Sequence, residues 1–178
     1  MSGILVVRPS SLGDVVWALA IAHAVAAARP GLAVDWLAEE AFTALPAMCG
    51  EVRRTVPLAL RRWRRSPLAR ATWREFRAFR AVLREERYDA VLDLQEQVKG
   101  GVIARIAIGT RHGFDRASIR EPVATIFDDV HHAVPRDLHF ATRCRRLAGA
   151  ALGYAVEGPP RWRWNVPAAP ACTPARPY

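Results

Sequence analysis

The chain has 178 residues, 51% of them hydrophobic, which is enough for one core of ordinary size with a short tail and too few for a second full domain. Lys and Arg outnumber Asp and Glu by 26 to 17, and Lys99 is the lone lysine. That bias fits an anionic partner gripped by guanidinium groups, and it equally fits compositional drift in a chain rich in Ala and Arg throughout, so clusters carry more weight than the total.

Cys49, Cys144 and Cys172 are odd in number and far apart, with no CxxC pair and no histidine at ligand spacing, which argues against a disulfide framework and a zinc site. The mostly apolar residues 15–28 are too few to span a bilayer, and they follow an acidic residue where a cleaved signal would have a basic flank. A reducing, cytoplasmic setting follows by default.

Residues 4–7 form a short continuous apolar run, the pattern of a parallel strand buried on both faces. The turn-forming Pro9-Ser10-Ser11-Leu12-Gly13-Asp14 comes next, and then an Ala-rich helix over 15–29 ended by Pro30-Gly31. Strand 33–37, a short helix over 39–45 and strand 52–60 repeat the unit, with Pro57 an awkward residue for the last of these. From Thr72 a longer amphipathic helix sets Trp73, Phe76, Phe79, Val82 and Leu83 on one stripe, with Arg74, Arg77, Arg84 and Arg87 outward. DAVLDL at 89–94 is another buried strand, a helix over 98–108 stops at Gly109, and further helices are predicted over 121–129 and 137–152. Alternating strands and helices predict a Rossmann-like three-layer α/β domain with a mostly parallel sheet. Residues 157–178, rich in Pro and Gly around Arg161-Trp162-Arg163-Trp164, show no sustained period.

Ligands of open α/β sheets sit beyond the carboxyl ends of the strands, so the loop after the first strand is the first candidate site. There Gly13 permits close backbone approach, Ser10 and Ser11 offer hydroxyls, and Asp14 reads either as a helix cap or as a catalyst. The loop is neither GxGxxG nor a P-loop. Arg61-Arg62-Trp63-Arg64-Arg65 is the densest charge cluster, a solvated turn or an anion site; Trp63 either stacks on a ligand or anchors the turn. Gln95 and Lys99 lie just past the 89–94 strand. Trp17, His23, His112, His131, His132 and His139 have no triad or ligand spacing and read as packing residues.

The segment ILVVRPSSLGDVVWALA, followed in order by VDWLAEEAF, VPLALRRWRR, YDAVLDLQ with Lys99, RHGFD and the REP of residues 120–122, resembles the heptosyltransferases of glycosyltransferase family 9 over about residues 4–154. The resemblance implies the N-terminal, acceptor-binding half of a GT-B glycosyltransferase, with 155–178 as linker or irregular tail, the donor-binding domain absent and the truncated form inactive alone. It implies Asp14 as general base, Ser10, Ser11, Gly13, Arg61, Arg62, Arg64, Arg65 and Arg120 as acceptor contacts, and Gln95 and Lys99 as secondary candidates. The implied reaction moves L-glycero-D-manno-heptose from ADP-heptose to the Kdo of Kdo-lipid A in lipopolysaccharide inner-core synthesis, with no metal or cofactor. The Ser-Ser-x-Gly-Asp-Val loop is similar to the branch that adds the first heptose; the second-heptose branch carries Trp-Val before Gly-Asp. ADP-heptose would bind only once a donor domain is supplied, contact with the inner membrane would be peripheral, and exposed apolar surface is expected where that domain docks. One departure stands out: Glu96 occupies the position after Gln95 where the family usually has Gly. A non-catalytic anion-binding or interaction domain is the alternative reading. Nucleic acid is not an expected partner, since no recognised nucleic-acid motif accompanies the arginines.

Overall fold

The computed structural model describes residues 3–165. Six strands form one sheet: β1 (Gly3–Val7), β2 (Ala33–Glu39), β3 (Val52–Leu58), β4 (Ala90–Asp93), β5 (Arg111–Phe114) and β6 (Val130–His132), in the order β3-β2-β1-β4-β5-β6. Every pairing is parallel, as the α/β reading requires. All five residues of β1 are buried because strands flank it on both sides and helices cover both faces.

The helices are α1 (Leu12–Ala18), α2 (Ala20–Ala28), α3 (Ala44–Ala47), α4 (Leu60–Trp63), α5 (Arg70–Arg84), α6 (Val98–Ala104) and α7 (Phe140–Leu152). One core layer joins Ile4, Val6, Trp36 and Leu92 to Val15, Ile21 and Val25 of α1 and α2 and to Cys144 and Leu147 of α7. The other joins Leu5, Val7, Leu37 and Val91 to Trp63, Phe79, Leu83 and Ile103 of α4, α5 and α6. Alternation along each strand feeds the two layers.

Several predicted elements change on folding. The helix expected over 15–29 begins at Leu12 and is interrupted at Leu19, which keeps helical backbone angles. The helix expected over 39–45 is the last residue of β2, a 3-10 turn over Glu40–Phe42 and then α3. Residues 121–129 are not an α-helix: Pro122–Phe127 form a 3-10 turn, and β6 follows at once. Strands β5 and β6 had no sequence signal, since RHGF and VHH are short, polar and only partly buried at the edge of the sheet. Pro57 is accommodated because β3 is the opposite edge strand, where a missing N–H leaves no ladder partner unmet. On α5, Phe79 and Leu83 are buried as the stripe predicts, but Trp73 is 54% exposed and Val82 38%.

Residues 155–165, expected to be a linker or ragged tail, lack regular structure yet lie against the domain. Trp162 donates its Nε1 to the Val16 carbonyl and stands edge-on to Trp17, and Asn165 N donates to the Met48 carbonyl. Arg145 of α7 holds the Glu157 and Gly158 carbonyls from the other side. Residues 166–178, with Cys172, lie outside the described residues; Cys49 and Cys144 are free and buried, and burial pushes the Cys49 thiol up to about 11.

Candidate functional site

The order in which strands are added reverses between β1 and β4, with β2 and β3 on one side and β5 and β6 on the other. The loops after β1 and β4 therefore diverge and leave a cleft at the carboxyl ends of the strands. That cleft, of ≈ 440 Å³, is lined by Arg8, Ser10, Ser11, Asp14, Gln95, Glu96, Gln97, Lys99, Arg120, Phe140 and Arg143. A side lobe of ≈ 90 Å³ shares Ser10 and Lys99 with it and adds Glu39, Arg61 and Arg64. A recess of similar size, ≈ 460 Å³, lies away from the strand ends between α2 and residues 154–161; alanines make up much of its wall and no acid–base constellation converges on it.

Asp14 sits in the first turn of α1, two residues inside Leu12. Its Oδ2 accepts from Ser11 N at 3.0 Å and Ser11 Oγ at 2.8 Å, the return half of a capping box, and from Arg8 Nη2 at 2.6 Å. Partial burial pushes the carboxyl upward, but the Ser11 backbone bond and the Arg8 charge outweigh it, and its pKa lies below the ordinary aspartate value. Asp14 is thus ionised at neutral pH, ready to accept a proton and weak in its pull for one.

Arg8, which sequence reasoning missed, is the pivot of this corner. It follows five buried apolar residues and is itself only 6% exposed. Its Nη1 donates to the Leu94 carbonyl, tying the β1 loop to the β4 loop, and its guanidinium covers the Phe140 ring at 4.7 Å. Arg8 Nε is buried without a partner among the described residues. The available signal was positional: a cation directly after a fully apolar central strand must end at the cleft.

Glu96 takes a left-handed backbone conformation, φ 58°. Glycine adopts such angles without strain, so a glutamate there holds a backbone conformation that its side chain disfavours. Here the carboxylate is buried and accepts from Arg143 Nη1 at 2.9 Å, while Arg143 Nη2 donates to the Ser118 carbonyl at 2.7 Å and the guanidinium lies over Phe114. Glu96 is therefore a structural anion, spent on α7. Gln95 is buried, with Nε2 on Gln97 Oε1 at 3.1 Å and Oε1 without a partner among the described residues.

The arginine cluster divides. Arg61 and Arg64 reach the side lobe; Glu39 at the end of β2 fixes the start of the turn by accepting from Arg61 N at 2.8 Å. Arg62 points the other way and is held by both oxygens of Glu40 at 3.2 Å and by Glu75 at 2.6 Å. Arg65 is exposed and lines neither the cleft nor its lobe. Trp63 is an anchor, buried edge-on to Phe76 and Phe79 with Nε1 on Glu75 at 2.9 Å, so it is not available for stacking on a ligand. Among the described residues, the side chains of Lys99, Arg64 and Arg120 form no ion pair, although the Lys99 charge reaches the Glu39 carboxylate across the lobe, so the cleft and its lobe carry cations open to a further anion. Gly13 lies outside the cleft lining, and a methyl group there would meet no other atom of the chain.

The histidines pack. His112 and His132 stack at 3.0 Å between ring nitrogens, His131 meets the Thr125 carbonyl, His139 caps α7 and lies edge-on to Trp17, and His23 faces Glu51. No group of three or more His, Cys, Asp or Glu among the described residues is arranged to hold a metal ion.

A six-stranded parallel sheet with a polar cleft at its switch point, an ionised aspartate on one wall and cationic side chains in its lining defines a Rossmann-type α/β domain. The chain belongs to glycosyltransferase family 9 (heptosyltransferase), whose family model matches residues 76–168. It is 38% identical over 152 residues to lipopolysaccharide heptosyltransferase 1 of Escherichia coli (strain K12), across 85% of this chain and 48% of that protein. The solved structure of E. coli heptosyltransferase WaaC with ADP superposes at a TM-score of 0.84 with 37% identity, over 86% of this chain and 48% of the other. That of E. coli ADP-heptose lps heptosyltransferase II superposes at 0.68 with 20% identity, over 94% of this chain and 47% of the other, a likeness of fold. The chain spans about half the length of the curated relatives it matches.

Proposed function

We propose that this chain is the acceptor-side half of an inverting GT-B heptosyltransferase of the first-heptose type, working at the cytoplasmic face of the inner membrane. The observation that carries the reading is the cleft itself: Asp14 and the cations Lys99 and Arg120 line one hollow, and Arg61 and Arg64 line the lobe that opens from it. Greater identity to the WaaC structure than to heptosyltransferase II supports the first-heptose branch. In this reading the phosphates and Kdo carboxylates of Kdo-lipid A meet the cationic rim, and the Kdo hydroxyl approaches Asp14. Asp14 takes the hydroxyl proton as that oxygen attacks the anomeric carbon of the heptose, and ADP leaves. Expelling water as the acceptor and the ADP-heptose half close over the cleft would raise the carboxylate's proton affinity from its low resting value.

One observation favours a second reading. Three donors on one oxygen make Asp14 a competent helix cap with no chemistry required, as in a binding domain that only presents the acceptor. Both readings are tested together. The 178 residues are expected to bind Kdo-lipid A in micelles, to lose affinity on Arg120→Ala or Lys99→Ala, and to transfer no heptose by themselves. Supplied with the C-terminal half of the E. coli relative, the pair should transfer heptose from ADP-heptose, and Asp14→Asn should cut that rate about 100-fold or more with acceptor affinity kept. Unchanged transfer by Asp14→Asn would leave the cap reading standing; turnover by the isolated chain would refute the half-enzyme reading.

A further inference from the structure

The connection from α4 to α5 projects a surface of which the proposed chemistry uses only Arg64. Leu68 on this connection is 90% exposed, and Trp73 in the first turn of α5 is 54% exposed. Together with Pro67, Trp63 and Phe76, Trp73 borders an apolar recess of ≈ 300 Å³. Trp73 stands edge-on to Phe76, and Phe76 edge-on to the buried Trp63, so the exposed indole is backed by an aromatic column that ends in the core.

Charge surrounds this apolar tip. From Arg61 to Arg77 the sequence carries seven arginines and one acid, Glu75, and that acid already accepts from Arg62 and Trp63. Arg64, Arg65, Arg70, Arg74 and Arg77 are exposed and form no ion pair among the described residues, with the Arg74 charge felt by Glu75, and Arg64 borders the recess itself. A lone exposed leucine is ordinary; an exposed leucine and tryptophan on one short segment with five exposed guanidinium groups is not.

We propose that this surface docks on an anionic lipid bilayer, with Leu68 and Trp73 entering the boundary between headgroups and acyl chains and the arginines resting on the phosphates. Charge complementarity selects this occupant. A protein partner's anchor pocket is depleted of charge at its centre, whereas here cations crowd the apolar residues. Nucleic acid would satisfy the arginines and gain nothing from burying Leu68. A bilayer interface takes both, since indoles settle at headgroup depth and arginines keep their heads in water while their stems lie on apolar groups. Arg64 borders both the recess and the side lobe of the cleft, so docking would hold the cleft beside the headgroups.

The inference does not depend on the acceptor reading, and its test contains no lipopolysaccharide. The 178-residue chain is sedimented with vesicles of phosphatidylcholine alone and of phosphatidylcholine with phosphatidylglycerol. Binding is expected only to the anionic vesicles and should weaken with added salt. Leu68→Glu should lower the affinity at least about tenfold and Leu68→Ser several-fold, with far-UV dichroism and melting temperature unchanged because the side chain is exposed. Equal binding to neutral vesicles, no binding to either, or wild-type affinity in both Leu68 variants would overturn the proposal. So would duplex DNA bound more tightly than anionic vesicles and indifferent to both variants, which would make the patch a site for polyanions.

Discussion

At Asp14 three donors meet one carboxylate oxygen, so the side chain holds the start of α1 and the buried Arg8 together. Asp14→Asn is expected to cost about 1 kcal/mol, the scale of a helix cap, because the group is 41% exposed and solvent screens its ion pair. The carboxyl's folded pKa is depressed, so its contribution is present above the ordinary aspartate value and is lost as pH falls through the lower folded one. Urea unfolding at neutral pH and at about pH 3 should show the gap between wild type and variant closing in acid. Glu96 gives the opposite balance. Glu96→Gly relieves a left-handed backbone worth about 1 kcal/mol, but it strands the buried Arg143, which costs about 3–5 kcal/mol. The variant should therefore unfold at lower denaturant despite its easier backbone, and Glu96→Gly combined with Arg143→Met should recover much of the loss. The sequence could show that Asp14 sits at a strand end. It could not show these pairings, since Arg143 lies 47 positions from Glu96 and only folding brings them together.

At the scale of elements, the β4–β5 corner stores two acids without adequate partners. Asp93 ends β4 with one oxygen unmet, and both oxygens of Asp128, just before β6, are buried without partners among the described residues. Burial, together with the neighbouring Asp128 charge, pushes Asp93 up to about 8, and burial pushes Asp128 up to about 6. Both folded values exceed those of the unfolded chain, so the stabilisation by the protonated acids is whole below the ordinary aspartate value and is lost from there upward, until pH has passed about 6 for Asp128 and about 8 for Asp93. Denaturant midpoints should fall from about pH 4 to about pH 8, and Asp128→Asn should flatten the part of the fall below about pH 6 by an amount on the order of 2 kcal/mol. Gly113→Ala belongs to the same corner: a methyl group there would overlap the Asp128 carboxylate, so a loss on the order of 2 kcal/mol is expected in the same measurement. Strands β1, β2 and β4 were legible because burial on both faces writes short runs of mostly apolar residues, broken in β2 only by Asp35 before its last residue. Strands β5 and β6 were not, because RHGF and VHH owe their place to parallel neighbours rather than to their own composition. The predicted helix over 121–129 failed because Pro122 and Asp128 frame a 3-10 turn whose Ala124 alone is fully buried.

Across the whole molecule, residues 155–165 act as a strap from α7 to α1 and α3. Ending the chain at residue 154 should remove the Trp162 and Asn165 contacts, uncover Trp17 and Cys49, and lower the melting temperature by several degrees, as scanning calorimetry would show. The strap escaped sequence reading because its contacts reach as far as 146 positions and because Pro and Gly obscure any period. The arginine excess proved to have mixed origins. Arg8, Arg53, Arg54, Arg62, Arg111 and Arg143 neutralise the chain's own acids, with Arg53 and Arg54 both reaching the buried Asp35 across a register shift in β3. Arg29 and Arg145 hold backbone carbonyls, Arg61, Arg64 and Arg120 line the cleft and its lobe, and Arg65, Arg70, Arg74 and Arg77 are exposed on and around the α4–α5 connection. The buried pair of Glu96 and Arg143 has a further consequence: each partner makes the other indispensable, so the loop beside the cleft and a helix far along the chain can be altered only together, and single substitutions at the two positions will not add.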